Sequence, residues 1–325
     1  MWQSLLDKSR EQSPTPDYAP EQDRTAEPVE GFGKFTWRTG RWERIFDRQI
    51  GAIQHELARA HAEDRVVVYL SCPISDRGGG YSRTNVDIAN FTARRLMHTW
   101  GERLHVLNPA AYQLESREGT GQVLEHVRVL FPLEDPERYL DSLRADYRPR
   151  GGDYMRMWIK VLVEDDRYYD SPAANLPKRN LRCGAMFDAF YFLGPSDVAL
   201  FFTTEPDASL TQSVESYFAR KYATDVDFRQ EFDAESEEPS AMDFAGQTWE
   251  LRRKQFFRFY ALRASSSYSL GSRDEWNTMV RLNRKRSKEP AYSPGEELAC
   301  YYDGRQVTLA SATRKVPHGY EVSDA

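Results

Sequence analysis

Five residues from Val66 to Leu70, Val-Val-Val-Tyr-Leu, form a hydrophobic strand that runs straight into a turn, Ser71–Arg83, dense with Gly, Ser and Arg. Behind the turn, "RTNVDIANFTARRLMHTWGE" sets Val86, Phe91 and Leu96 among polar residues without Pro, which predicts a helix ending near Gly101. "RLHVLNP" then reads as a short strand stopped by Asn108 and Pro109. Strand, turn, helix, strand is the start of an open α/β sheet with crossover connections.

The flanking segments extend this plan. From Trp42 to Ala62, Ile45, Ile50, Ile53 and Leu57 recur at helical spacing. A helix is expected at Gly121–Leu130, a break at "RPRGGD", and another helix in "DYMRMWIKVLVEDD", capped by Asp153. "AMFDAFYFLGPSDVALFF" reads as a short helix closed by Gly194-Pro195 and followed by a strand at Val198–Phe202. A loop opening into a helix follows in "TTEPDASLTQSVESYFARKYA". The resulting division is a flexible polar arm at 1–40 and an α/β core at 41–224 with an insertion at 113–182. An acidic linker at 225–248 and a basic, aromatic C-terminal extension at 249–325 complete it. Within the extension, "ELACYYDGRQVTLA" reads as a hairpin turning at Asp303-Gly304.

Composition narrows the function classes. A chain of 325 residues can bury a real core. A net charge of −6 argues against a wholesale binder of nucleic acid or anionic membrane. Cys72, Cys183 and Cys300 match neither a zinc pattern nor a disulfide framework, so a reducing cytoplasm is the expected compartment. No apolar run is long enough to span a bilayer and the first residues lack the basic-then-apolar order of a signal peptide, so neither export nor membrane insertion is expected. His55, His61, His98, His105, His126 and His318 are scattered without ligand spacing, so no metal and no cofactor is expected. Cys72 reads as a small core residue rather than a nucleophile.

In open α/β sheets ligands sit beyond the carboxyl ends of the strands. Three segments are expected to converge there: Ser71–Arg83, Pro109–Tyr112 and Thr203–Glu215. Gly78, Gly79 and Gly80 let backbone approach an anion, and Arg77 and Arg83 supply bidentate donors, although the loop matches neither the dinucleotide nor the Walker pattern. Ser209 can donate to a phosphate, and Glu215, further on, faces the same crevice.

Across residues 65–224 the pattern resembles the nucleoside 2-deoxyribosyltransferase-like superfamily, and within it the nucleoside 5′-monophosphate N-glycosidases. The resemblance rests on Tyr69 and Ile74 in "YLSCPISDRGGG", on Asp188 in "FDAFYFLGPSDVALFF", and on Ser209 six positions ahead of Glu215. It implies a Rossmann-like (flavodoxin-like), mostly parallel sheet flanked by helices, and cleavage of the base–sugar bond of a nucleotide without a cofactor. Glu215 would be the nucleophile at C1′, Asp188 would assist the leaving base, and Tyr69 would hold the Glu rotamer. Ser71, Ile74, Arg77, Gly78, Gly79, Gly80, Arg83 and Ser209 would hold the substrate phosphate. Asp153 and Asp165 are alternatives to Asp188, and Thr211, Gln212, Ser213 and Val214 stand where the family has small residues.

The resemblance also implies a homo-oligomer and leaves hydrolysis and base transfer both open. Two other readings compete with it. One is a nucleotide-sensing module without catalysis. The other is an effector that degrades a nucleotide such as NAD while the segment 249–288 contacts nucleic acid or protein; the plainer reading of that segment is a helix with Phe and Tyr on its core side and Arg on its wet side.

Overall fold

The computed structural model describes residues 25–29, 31–37, 40–74, 80–114, 116–131, 134–163, 186–203, 207–233, 249–263, 269–288 and 297–322. Arg77, Gly78, Gly79, Asp165 and Cys183 lie outside these residues.

The described chain opens with an antiparallel hairpin, β1 (Thr25–Val29) and β2 (Gly33–Trp37). This corrects the expectation of a flexible arm at these positions. Phe32, Phe35 and Trp37 are buried, and the guanidinium of Arg156 stacks on the Trp37 ring at 3.2 Å. Polar composition hid a few large aromatic side chains whose burial anchors the hairpin.

Helix α1 (Arg41–Ala62) leads to β3 (Val66–Ser71), α2 (Ser82–Trp100) and β4 (Leu104–Leu107). The α1 stripe of Ile45, Ile50, Ile53 and Leu57 is fully buried, and α2 ends at Gly101, whose φ of +80° suits glycine. After a single 3₁₀ turn at Pro109–Tyr112 come α3 (Arg117–Leu130), α4 (Pro136–Asp146) and α5 (Gly151–Val163). The region expected as an insertion therefore supplies part of the core: Trp158, Ile159, Val161 and Leu162 of α5 are buried against the sheet.

The next segment reverses the expected order of elements. β5 is Ala189–Phe192 and the helix α6 follows at Pro195–Phe202. Gly194-Pro195 thus ends a strand and opens a helix, in keeping with the preference for Pro in the first helical turn. Both halves are apolar and short, and periodicity cannot separate a buried strand from a buried helix in such runs.

Helices α7 (Leu210–Thr224) and α8 (Val226–Asp233) follow, the second within the stretch expected as an acidic linker. Then come α9 (Trp249–Arg258), a turn of π-helix at Phe259–Arg263, and α10 (Leu270–Arg286). The chain finishes with β6 (Ala299–Tyr302), β7 (Arg305–Gln306) and the short α11 (Leu309–Ala312). The hairpin at Asp303-Gly304 is present, with positive φ at both residues (54° and 77°), as a two-residue turn demands.

The five-stranded sheet has the order β4-β3-β5-β6-β7, parallel except for β7. The protein has a Rossmann-like α/β fold. The C-terminal segment is no appendage, because β6 pairs with β5 and α10 packs into the main core. Val67 and Tyr69 of β3 with Phe190 and Phe192 of β5 face α1, α5 and α10. Val68, Leu70, Ala189 and Tyr191 face α2 on the opposite side. Each fully buried large apolar side chain contributes about 1.5–3 kcal/mol, and two-faced burial of β3 and β5 concentrates that contribution at the sheet centre.

Candidate functional site

After β3 the chain moves outward to β4, and it returns past β3 to place β5 on the other side. The strand order therefore reverses between β3 and β5, and their carboxyl ends frame the crevice in which such sheets place ligands. Pro73 beyond β3 and Leu193 beyond β5 line this crevice with Asn85 and Ile88 of α2, Val198 of α6, and Phe259 and Tyr260 of the π-turn. Its free space is about 10 Å³, room for one water.

At the same end of β3, on the α10 side, lies a buried carboxylate. Glu275, in the second turn of α10, is 4% exposed. The Tyr69 hydroxyl donates to its Oε1 at 2.6 Å, and the Ser71 hydroxyl donates to its Oε2 at 2.5 Å. Tyr69 and Ser71 are two apart on β3, so both point to one face of the sheet. The Tyr69 ring sits among Trp158, Phe187 and Phe190, with centroids 5.4–6.0 Å away. Among such rings its hydroxyl needs a polar partner, and Glu275 is that partner.

Burial pushes the Glu275 carboxyl up to about 7, against the lowering effect of the Ser71 and Tyr69 hydroxyls, and the neighbouring Asp274 charge adds to the rise. Burial, and then the Glu275 charge, hold Tyr69 well above the ordinary phenol value, so it remains a donor. Asp274 accepts from the backbone N–H groups of Gly319 and Tyr320 at 2.8 and 2.6 Å. Burial raises its pKa despite those bonds. The Cys72 Sγ lies 3.9 Å from Asn108 Oδ1, and burial raises its thiol beyond ordinary titration.

The residues expected to form the site do not all meet there. Tyr69, Ser71 and Ile74 lie at the carboxyl end of β3, and the Ile74 carbonyl accepts from Asn85 Nδ2 at 3.3 Å. Gly80 lies under the π-turn, where a Cβ would stand 3.2 Å from the Phe259 ring. Arg83 is turned away from the crevice and pairs with Glu231 and Asp227 of α8. Asp188 stands at the amino end of β5, the end opposite the crevice, and its carboxylate accepts from Val67 N at 2.7 Å. The alternative Asp153 is buried near the start of α5, where it accepts from Tyr147 and from Arg150 N.

Ser209 is an exposed helix cap: its Oγ accepts from Gln212 N, and Gln212 Oε1 accepts from Ser209 N at 2.9 Å. Ser-Leu-Thr-Gln is the capping-box signature, which explains this Ser without a phosphate. Glu215 is exposed on α7, whose buried side packs with α8 and α9. Thr203 follows the helix α6 and not a strand as expected. The structure brings Glu275, not Glu215, to Tyr69.

Glu275 had a legible signal in the sequence. It stands four residues before Met279 and seven before Leu282, on the apolar stripe of a helix. A carboxylate on such a stripe marks either a buried polar network or a site.

Phe256 of α9 is buried among Phe218, Phe228 and Phe232, and Arg253 lies over the Phe257 ring at 4.7 Å. The rings of α9 thus serve packing, and a base-stacking role for them has no support. Among the described residues, ligand atoms of Asp274, His318 and Glu321 lie within 4.8 Å of one another. Each is already engaged, Asp274 by backbone donors and Glu321 by Arg281 and His318. No described helix is long and apolar enough to cross a membrane.

Comparison of the chain with protein-family models, with curated proteins and with solved structures finds no match in any of the three.

Proposed function

We propose that the protein cleaves the base–sugar bond of a nucleotide, with Glu275 as the carboxylate that meets C1′. The observation that carries this reading is the Tyr69–Glu275–Ser71 triad at the carboxyl end of β3, beside the strand-order reversal. In the family that the sequence resembles, a Tyr at this strand position holds the catalytic Glu. Here Tyr69 holds a Glu from a different helix.

The chemistry asks for a carboxylate that stabilises an oxocarbenium-like transition state or bonds to C1′. As the C1′–N bond breaks, its electron pair leaves with the base. One water is consumed, its hydroxide ending on C1′ and its proton on the base. Tyr69 and Ser71 orient Glu275 and favour its charged form, while burial opposes that form. A group balanced near neutrality can shift between the two when substrate changes its surroundings. Pro73, which lines the crevice, lies only two residues beyond Ser71, at most about 7 Å along the chain.

The test is chromatographic detection of free base from a panel of ribo- and deoxyribonucleoside 5′-monophosphates, nucleosides and NAD. Wild type and Glu215→Ala are expected to release base, and Glu275→Gln is not. Loss in Glu215→Ala with retention in Glu275→Gln would return the nucleophile to α7, and no release from any substrate would end the reading. A nucleotide sensor is the second reading, favoured by the burial of Glu275 and the filled crevice. Binding without base release by wild type would select it.

A further inference from the structure

We propose that Asp274 and the C-terminal strap it grips, residues 313–322, are the positioning elements that aim Glu275 at β3. This rests on the reading of Glu275 as the carboxylate that meets C1′ and names what holds it in place.

Residues 270–275 of α10 bury no apolar side chain. The buried apolar side chains of the helix are Trp276, Met279, Val280 and Leu282, and all of them follow Glu275 in the chain. A first helical turn also lacks intrahelical partners for its N–H groups, so it frays unless something outside the helix holds it. Ser269 caps it, accepting from Ser272 N at 3.1 Å, and the strap supplies the rest. Gly319 lies so close to the Leu270 carbonyl that no Cβ fits between them. Both oxygens of Asp274 accept from the strap backbone, at Gly319 N and Tyr320 N. Successive helical residues point about 100° apart. A carboxylate pinned at 274 therefore fixes the direction in which the side chain at 275 leaves the helix.

The strap is itself held at several levels. Trp276 Nε1 donates to the Arg314 carbonyl at 2.8 Å. Asn277 donates to the Val316 carbonyl at 2.9 Å and accepts from Val316 N at 3.0 Å. Arg281 donates to Glu321 at 2.6 Å, Val322 N donates to the Lys34 carbonyl at 2.8 Å, and the Tyr320 ring rests on Gly151 at the start of α5. The strap thus ties the start of α10 to β2 and to α5, which packs on the same face of the sheet as Tyr69. Apolar packing of Met279, Val280 and Leu282 is non-directional, whereas a hydrogen bond fixes distance and angle. The titratable groups that face Glu275 are Tyr69 and Cys72 from the β3 side and Asp274 on its own helix, and Glu321 and His318 stand beside Asp274. A change at Gly319 or Asn277 alters none of these charges, so it reports on placement.

The experiment compares the full chain with Gly319→Ala, which crowds the Leu270 carbonyl, and with Asn277→Ala, which releases Val316. Urea titrations from pH 4.5 to 8 are run on each form with and without Glu275→Gln. The pH-dependent difference that Glu275 makes should shrink by at least about half in both variants, as a displaced carboxyl regains water. A merely structural strap would lower stability equally at every pH and leave that difference intact, which overturns the proposal. Should neither variant fold, Arg281→Lys, which loosens Glu321 at the outer end of the strap, is read in the same way. In the base-release assay kcat should fall about tenfold or more in these variants with KM unchanged. An unchanged kcat beside an active wild type also overturns the proposal. If the wild type releases no base, the glycosidase reading fails, and the pH-dependent difference still decides the role of the strap.

Discussion

The Tyr69 hydroxyl and the Glu275 carboxylate lie 2.6 Å apart although 206 positions separate them in the chain. The contact joins β3 to α10, and the fold of the C-terminal third is needed to make it. A buried acid in this position has consequences that can be measured.

Stability should fall as pH rises. The Glu275 carboxyl is raised in the folded state from 4.5 to about 7, so its proton favours the fold. That contribution is fully present below pH 4.5 and is lost as pH rises through 7. It amounts to roughly 3 kcal/mol between those limits. Urea titrations of wild type and Glu275→Gln from pH 4.5 to 8 should differ by a slope of this size. Parallel curves would show that Glu275 titrates as a solvated group.

Tyr69→Phe removes one of the two donors to Glu275. Hydrogen bonds to a charged group contribute about 1.5–3 kcal/mol, and to a neutral one about 1. The substitution should therefore destabilise the protein more at pH 8 than at pH 5. Equal losses at both pH values would mean that Glu275 keeps the same charge at pH 5 and pH 8.

Glu215→Ala should change stability by less than about 0.5 kcal/mol, as expected for an exposed side chain away from caps and cores. Ser209→Ala should cost about 1 kcal/mol through loss of the α7 cap. Thermal unfolding of the two variants separates these roles, and a large loss in the first would point to a contact at Glu215.

Asp303 accepts from the backbone N–H and the hydroxyl of Ser196 at the start of α6, at 2.6 and 2.7 Å. Opposite it, a Cβ on Gly194 would stand 2.4 Å from the Asp303 Cβ. Gly194→Ala should cost on the order of 1–3 kcal/mol by overpacking. Asp303→Gly removes that side chain and also suits the positive φ. The double variant should recover part of the loss, and strict additivity in a double-mutant cycle would exclude this contact.

Much of the sheet could be read before its pairing was known. Val66–Leu70, the α2 stripe, the strand at Leu104–Leu107 and the Asp303-Gly304 hairpin each carry local patterns strong enough to name their elements. The stretch Ala185–Phe202 does not, because both its strand and its helix are apolar and short. Ser209 and Glu215 drew notice by spacing that the capping box explains equally well.

The sequence by itself determined the class of fold, since apolar period and turn residues act within a few positions of one another. It also singled out Tyr69, whose place at the end of a buried strand is a local property. Only the tertiary structure decided which carboxylate Tyr69 meets. A phenol buried among Trp158, Phe187 and Phe190 must bond to whatever polar group the packing delivers. Packing delivers Glu275, because β6 joins the sheet beside β5 and lays α10 across β3. Local patterning cannot report that choice, for the residues that make it lie two hundred positions away.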